Sequence, residues 1–591
     1  MNKQTEFDAS AAEAYRQLID IGIALSVERD YGKLMERILD EAKSFTNADA
    51  GTLYLNHEDR ELTFQIIRND TLNIAMGGSS GDEIRFKPVQ LFTDKGEPNL
   101  NNVASYSAIT GEVINISDAY SLEDQFDFSG TQRFDASTGY HSKSFLTVPL
   151  KNHEDRVTGV MQLINAKDSK GNVVAFDEAT LPLVEALASQ AAVSIDNRML
   201  IEAQKKLLDS FIELIAAAID SKSPYTGGHC QRVPALTEML TRAACQSDEA
   251  PFKNFNLDEA GWYELHIAGW LHDCGKVTTP EYVVDKATKL ETIYDRIHEV
   301  RMRFEVLKRD AEIAYLKGRL DGGDEATLKA ALQAELAALD DDFAFICECN
   351  VGGEFMAPAK IERLKKIAER TWSRTLSDRI GISLAEKGRR ERETDRPLPV
   401  QEKLLYDHAA HIIERDAVDL MPPDNKWGFK MKMPAAKYNQ GEVYNLSIGR
   451  GTLNDEERYK INDHIMQTIA MLEGLPFPRH LRRVAEYATG HHEKMDGTGY
   501  PRGLKREDMS IPARVMAIAD IFEALTAADR PYKPAKKLSE SIKIMSFMVK
   551  DNHIDPDLFR LFLKSGVYKE YAQTHLRPDQ IDEVDVAPYL Q

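Results

Sequence analysis

The stretch "IAGWLHDCGK" at residues 267–276 places His272 and Asp273 directly behind an apolar helical run, and "VMAIADIFEAL" at 515–525 does the same to Asp520. An ionised carboxylate in such surroundings is costly to bury unless something compensates its charge. Histidines gather beside acidic residues elsewhere too: His229 in "YTGGHCQRV", His464 in "INDHIMQ", and the adjacent pair His491 and His492 at the head of "HHEKMDGTGYP". These are seven nitrogen and oxygen donors without a thiolate. Such a set suits borderline divalent metals, Mn, Fe, Co, Ni or Zn, and is too large for one ion with an open position. Two ions sharing Asp273 as a bridge use the donors economically, and metal pairs about 3.5–4 Å apart recur in displacement at phosphorus. Each histidine taken singly is equally a structural core residue; the apolar flanks of His272 and Asp520 favour ligation.

Neighbouring residues on a regular helix point about 100° apart, so His491 and His492 can share an ion only where a helix ends. The glycine-rich turn after them supplies an end, with Gly499, Tyr500 and Pro501 shaping a loop.

With 591 residues the chain exceeds the roughly 250–300 that one core supports, so two or three domains are expected. A net charge of -21 argues against nucleic-acid polymers and acidic membranes as partners. The start "MNKQTEFDAS" lacks signal-peptide character and the apolar run near "FIELIAAAI" is far short of about 20 residues, so a cytoplasmic protein is expected. Five scattered cysteines form no disulfide framework.

Helical spacing at Leu18, Ile21, Leu25, Leu34 and Ile38 gives way to short strands, "GTLYLN", "ELTFQIIR", "EVINIS", "SFLTVPLKN" and "TGVMQLINA", joined by hairpin-length connections. An α/β domain with an antiparallel sheet and flanking helices follows. A near-heptad through Leu200, Leu207, Phe211, Leu214 and Ala218 suits a parallel helix pair between two protomers, or a helix packed on its own domain. Charged helices such as "IHEVRMRFEVLKRDAEIAYLKGRL" and "EATLKAALQAELAALDDD", separated by "DGGD", read as a helical hairpin inserted into the second domain. The expected division is an N-terminal helix at 1–30, a sensor or dimerisation domain at 31–198, and a connecting helix at 199–222. A helical domain at 223–290 and 451–591 follows, interrupted by an insertion at 291–450.

The segment "ISDAYSLEDQFDFSGTQRFDASTGYHSKSFLTVPL" resembles the GAF domains that precede catalytic domains in cyclic-nucleotide phosphodiesterases. That resemblance implies either a small-ligand sensor, often for cyclic nucleotides, or a plain dimerisation module. The family's ligand motif is matched only in part, by "NAK" at 165–167 and "FDE" at 176–178. "HDCGK", "HHEKMDGTGYP" and "DIFEALTAADRPYK" resemble, in order, the hallmark segments of the HD-GYP domain, a subgroup of the HD phosphohydrolases. This resemblance implies an all-helical domain hydrolysing cyclic di-GMP to pGpG and in many members onward to GMP, with two divalent ions, Fe or Mn foremost. It assigns His229, His272, Asp273 and Asp520 to the first ion, and Asp273, His464, His491 and His492 to the second. Lys276 takes the place of the family lysine near the bridging water and the scissile phosphate, and Arg514, Arg530 and Lys533 are candidates for phosphate contacts. Some members bind a third ion through a glutamate four residues before the first histidine; Tyr225 stands there, so two ions are expected. The distance from Leu453 to His464 fits the family's middle histidine better than that from Leu290 to His298. Two other readings stay open: a non-catalytic receptor that passes a signal to protein partners, and a phosphodiesterase for another cyclic dinucleotide such as cyclic GMP-AMP.

Overall fold

The computed structural model describes the chain except residues 1–15, 17, 18, 24–27, 29, 81, 122–125, 223–227, 354, 423, 529–534 and 591. The expected N-terminal helix lies largely outside the described residues, as do Tyr225, Arg530 and Lys533. The chain divides into two units, Met1–Leu208 and Asp209–Gln591.

In the first unit the helix Tyr31–Thr46 opens on Asp30, whose side chain accepts from Lys33 N, and closes on left-handed Asn47. Its apolar stripe, Leu34, Met35, Ile38, Leu39 and Ala42, is buried in the main core of this unit. The strands are β1 (Ala48–His57), β2 (Glu61–Asn69), β3 (Ile74–Gly77), β4 (Val89–Gln90), β5 (Ile114–Ile116), β6 (Phe145–Lys151), β7 (Val157–Lys167) and β8 (Val173–Val174). They form one sheet in the order β3-β2-β1-β7-β6-β5, with β4 on β2 and β8 on β7, and each pairing is antiparallel. The turn-like "HEDRV" joins β6 to β7. Asn152 Oδ1 accepts from Glu154 N and Arg156 N there, and Asp155 takes the left-handed conformation.

The partial ligand motif of this domain is occupied with structural tasks. Asn165 Oδ1 accepts from Lys143 N at 2.7 Å, Lys167 pairs with buried Asp49, and Tyr140 donates to the same carboxylate at 2.6 Å. A cavity of 250 Å³ beside the sheet is walled by Phe64, Phe86, Phe134, Tyr140 and Phe145.

The connecting helix is longer than its expected 199–222: one helix runs from Leu181 to Lys222. Leu200, Leu207, Phe211, Leu214 and Ala218 are exposed on it, whereas Ile212, Ala216 and Ile219 are buried.

The second unit is built from the helices His229–Cys245, Glu259–Leu271, Asp455–Gly474, Val484–Thr489, Ile511–Thr526, Leu538–Lys550, Pro556–Lys564 and Val567–His575. One core joins Val233, Leu236 and Leu240 to Val515, Ile518 and Phe522, and these to Phe562, Tyr568 and Tyr571. The insertion begins as the expected hairpin: helices Ile297–Leu320 and Glu325–Val351 pack together across a short turn, with Phe304 against Phe343. Its second half differs from the helical expectation. After the helix Pro358–Ala368 come two two-stranded antiparallel sheets, Thr371–Arg374 with Val400–Lys403 and Ile412–Glu414 with Ala436–Asn439. These strands, three or four residues each, are too short to show a period in the sequence.

The insertion divides the domain in sequence without dividing it in space. Lys286, before the insertion, donates to Glu457 Oε1 and Oε2 at 2.7 and 2.8 Å, and both side chains are buried. Glu457 also completes the capping box of the helix Asp455–Gly474 with Asn454. Gly275 Cα approaches this helix so closely that an added Cβ would lie 1.9 Å from His464 O, and Gly275 N donates to Thr468 Oγ1 at 2.9 Å. Only a glycine permits that approach.

Removing one partner of a buried ion pair leaves the other uncompensated, a cost of about 3–5 kcal/mol. Lys286→Met should therefore lower the opening free energy of the Asp455–Gly474 amides by about that amount in hydrogen exchange. Lys286→Met/Glu457→Leu should cost less than the single substitution; a single variant within about 0.5 kcal/mol of the parent would contradict the role given to the pair.

Candidate metal centre

The side chains singled out in the sequence are delivered by five segments. His229 is the first residue of the helix His229–Cys245, following left-handed Gly228. His272 and Asp273 stand at the end of Glu259–Leu271, His464 lies within Asp455–Gly474, and Asp520 lies within Ile511–Thr526. The helix Val484–Thr489 stops at Gly490, so His491 and His492 fall just beyond a helix end, with ring centres 4.3 Å apart. Two groups result: Asp273, His464, His491 and His492, and His229, His272, Asp273 and Asp520, the ligand atoms of each lying within 4.8 Å of one another.

Asp273 divides its two oxygens between these groups. Oδ2 faces His229 Nε2 and His272 Nε2, each at 3.2 Å, while Oδ1 faces His464 Nε2 at 3.1 Å and His491 Nε2 at 3.9 Å. His229 Nε2 is 3.4 Å from Asp520 Oδ1, and the Nε2 atoms of His464 and His492 face each other at 3.0 Å.

The backbone fixes which nitrogen points inward. His272 Nδ1 lies 2.7 Å from Gly269 O, His464 Nδ1 2.5 Å from Ile461 O, and His491 Nδ1 2.7 Å from Ala488 O. A carbonyl only accepts, so Nδ1 carries the proton and each Nε2 turns a lone pair into the centre. His229 is held by a carboxylate instead: its Nδ1 is 2.5 Å from Glu523 Oε2, and Glu523 also takes Arg232 at 2.6 Å. Hydrogen-bonded imidazoles with inward Nε2 atoms are the arrangement of metal-bound histidines.

Buried His272 Nε2, His491 Nε2 and Asp273 Oδ1 make no hydrogen bond. Each such orphan costs about 1–3 kcal/mol. A cation beside them would satisfy all three, so the residues fit a pair of divalent ions. The nearby thiols do not join in: burial pushes Cys274 up to about 11 and raises Cys230 as well, so both stay protonated.

The charges of the centre are interdependent. Burial alone would raise Asp273, but Lys276 and His272 outweigh it and hold the carboxyl well below its ordinary value. Burial, with Lys276, opposes a charge on His229; the Asp273 and Glu523 carboxylates prevail and raise it to about 9. Burial and then His272 push His491 down to about 4, and burial with the neighbouring imidazoles pushes His492 well below its usual value. Glu523, which burial would raise, is held at about 2 by His229 and Arg232. Lys276 Nζ lies 2.5 Å from Asp273 Oδ2, with part of its side chain exposed.

Arg514 is not brought to this centre. Its guanidinium is engaged by buried Asp555, which also takes Arg506 at 2.8 Å. Gly499 packs on the loop backbone, where a Cβ would lie 2.3 Å from Lys494 N, and Glu493 accepts from Arg502 N and Leu504 N to close the same loop. Tyr500 does more than shape the loop: its ring stacks on His492 at 4.9 Å and 14°, and its hydroxyl is 3.2 Å from His492 Nδ1. Glu523 escaped the sequence reading, although its position three residues after Asp520 on one helix face was a usable signal.

Two protein families match parts of the chain. Residues 30–195 match the GAF domain family, and residues 399–558 match the HD domain family, a match that starts inside the insertion. A 3'3'-cGAMP-specific phosphodiesterase 2 of Vibrio cholerae is 30% identical over 43% of this chain and 46% of its own length. A 3'3'-cGAMP-specific phosphodiesterase 1 of the same organism is 34% identical over 25% of this chain and 35% of its own. A cyclic di-GMP phosphodiesterase of Pseudomonas aeruginosa is 39% identical over 17% of this chain and 24% of its own. The chain thus spans less than half the length of these curated relatives. Among the described residues, no helix is long and apolar enough to cross a membrane. The chain carries a GAF domain followed by an HD domain.

Proposed function

We propose that the second unit is an HD-GYP phosphodiesterase that opens a cyclic dinucleotide, cyclic di-GMP to pGpG and onward to GMP, in the cytoplasm. The observation that carries this reading is the single carboxylate of Asp273, shared between two groups of inward-facing imidazoles. His229, His272, Asp273 and Asp520 would hold one divalent ion and Asp273, His464, His491 and His492 the other, Mn or Fe being best matched to these donors. Such a pair lowers the pKa of a shared water and offsets charge on phosphate oxygens when bound. Lys276 supplies a fixed positive charge beside Asp273, where negative charge grows on the substrate's equatorial oxygens. The Nδ1 hydrogen bonds hold the imidazoles against rotation, so little reorganisation accompanies the reaction. Arg514, tied to Asp555, is left to a structural role, and Arg530 and Lys533 remain candidates for phosphate contacts.

Cyclic GMP-AMP is the second substrate reading, supported by the names of two of the Vibrio cholerae relatives. Regulation is assigned to the GAF domain, through a ligand in its aromatic cavity or through dimerisation. The exposed apolar residues of the helix Leu181–Lys222 support a homodimer formed along it. The insertion is the surface we assign to signalling partners.

Purified chain incubated with Mn(II) and cyclic di-GMP should release pGpG, and Asp273→Ala should abolish release in the same metal-loaded preparation. Glu523→Gln, which weakens the hold on His229 without touching an ion, should lower metal affinity or turnover about 10–100-fold. Binding without product in the parent chain would favour a receptor, and hydrolysis by Asp273→Ala would sink the bridging role. Sedimentation should find a dimer that Leu207→Glu/Leu214→Glu dissociates; an unchanged sedimentation coefficient removes the helix from the interface.

A further inference from the structure

The insertion contains "KWGFKMKM", residues 426–433, in which cations and apolar residues alternate. The structure turns this alternation into two faces. Lys426, Lys430 and Lys432 are exposed, while Phe429 is buried and Trp427 and Met431 pack with it against Met466, Ile469 and Tyr459 of the helix Asp455–Gly474. The strap is fastened to the loop that follows the histidine pair. Lys430 N donates to Pro501 O at 2.7 Å, and Arg502 Nε donates to Trp427 O at 2.8 Å.

Between strap and helix lies a cavity of 460 Å³. Met431, Lys432 and Met433 form one wall, Arg458 and Asn462 another, and Tyr500 a third. Tyr500 is the residue stacked on His492, so this cavity adjoins the metal centre through a shared side chain. Asp455 and Glu456 also border it, Glu456 being bonded to Tyr444 Oη at 2.9 Å. Among the described residues, Lys430, Lys432 and Arg458 form no ion pair with a carboxylate. In a chain of net charge -21, Lys432 and Arg458 bring two cations to this cavity, beside Asp455 and a Glu456 already engaged by Tyr444, so the lining holds placed positive charge that an anionic group could use.

A cyclic dinucleotide presents two phosphates and two bases on one ring, so with one phosphodiester at the metal centre the other nucleotide must be lodged nearby. We propose that the cavity under the strap is the subsite for that second nucleotide. Lys432 and Arg458 contact the phosphate that is not cleaved, and the base lies against Met431, Met433 and Tyr500. The volume falls within the range of small-molecule sites, and the lining combines apolar walls with a few placed cations. The insertion thereby supplies a wall of the substrate site. The inference rests on the phosphodiesterase reading of the metal centre.

The test compares the parent chain with Lys430→Gln/Lys432→Gln and with Arg458→Gln, all loaded with Mn(II), on cyclic di-GMP and on bis(p-nitrophenyl) phosphate, which has no second nucleotide. Each variant should raise KM for cyclic di-GMP about tenfold, the loss of one hydrogen bond to a charged group, with kcat changed less than about twofold. The ratio of kcat/KM between the two substrates should fall by the same factor. Equal KM values in parent and variants would overturn the subsite and leave the phosphodiesterase reading standing. If the parent hydrolyses neither substrate, calorimetric binding of cyclic di-GMP decides: binding weakened about tenfold by the substitutions keeps the subsite while the catalytic reading fails. Equal binding, or none by the parent, overturns the subsite; a positive strip that instead captures an acidic peptide of equal charge would make it a protein-docking surface.

Discussion

The structure of the second unit depends on how Asp273 is compensated. A carboxylate buried among helices carries a penalty of several kcal/mol unless its charge is met. Here Lys276 and His229 face Oδ2 as cations, whereas His272 on that side and His464 and His491 beside Oδ1 present lone pairs that only a bound cation would reconcile with the carboxylate. Those partners come from opposite ends of a sequence that an insertion interrupts, so satisfying one side chain requires both halves of the domain to close on it. Gly275, without a Cβ, lets the loop carrying Asp273 press against the helix carrying His464. The Lys286–Glu457 pair fastens the same two segments a few residues further on. The insertion is consequently an addition at the rim of a continuous helical domain.

A second consequence concerns the imidazoles. Three of the five have Nδ1 bound to a carbonyl oxygen, which can only accept and so leaves Nε2 with its lone pair directed at the centre, while a fourth, His229, has Nδ1 on the Glu523 carboxylate. Their environments nevertheless differ: His229, between two carboxylates, is held at about 9, whereas His491, with burial and His272 against it, is pushed down to about 4. The centre therefore combines a half bordered by the carboxylates of Asp273, Asp520 and Glu523 with a half bordered by the imidazoles of His464, His491 and His492. An unequal pair of ion sites sharing one carboxylate is the expected outcome of that asymmetry.

Much of this could be read before any coordinates. The alternation and hairpin spacing of residues 48–167 point to an antiparallel sheet, because a period of two survives in sequence whatever the sheet packs against. Ionisable residues inside apolar helices, such as Asp520 between Ala519 and Ile521, carry their own demand for a partner, and together with the histidines that stand beside acidic residues they lie in two adjoining groups. What escaped depends on contacts between distant segments. Glu523 looks like an ordinary acidic residue until His229 is brought to it from 294 residues away, and Gly275 looks like one more loop glycine until the helix at His464 passes over it. Arg514 is a phosphate candidate through the family resemblance, and nothing in its sequence neighbourhood reveals Asp555, 41 residues downstream. The strap at 426–433 hid within a segment expected to be helical, although its alternating cations obey a strand period.

Anomalous scattering from crystals of the Mn(II)-loaded chain tests the shared carboxylate most directly. The account predicts two peaks roughly 3.5–4 Å apart, both touched by Asp273, one bordered by His229, His272 and Asp520 and the other by His464, His491 and His492. A single peak, or two peaks of which one lies away from Asp273, would contradict it.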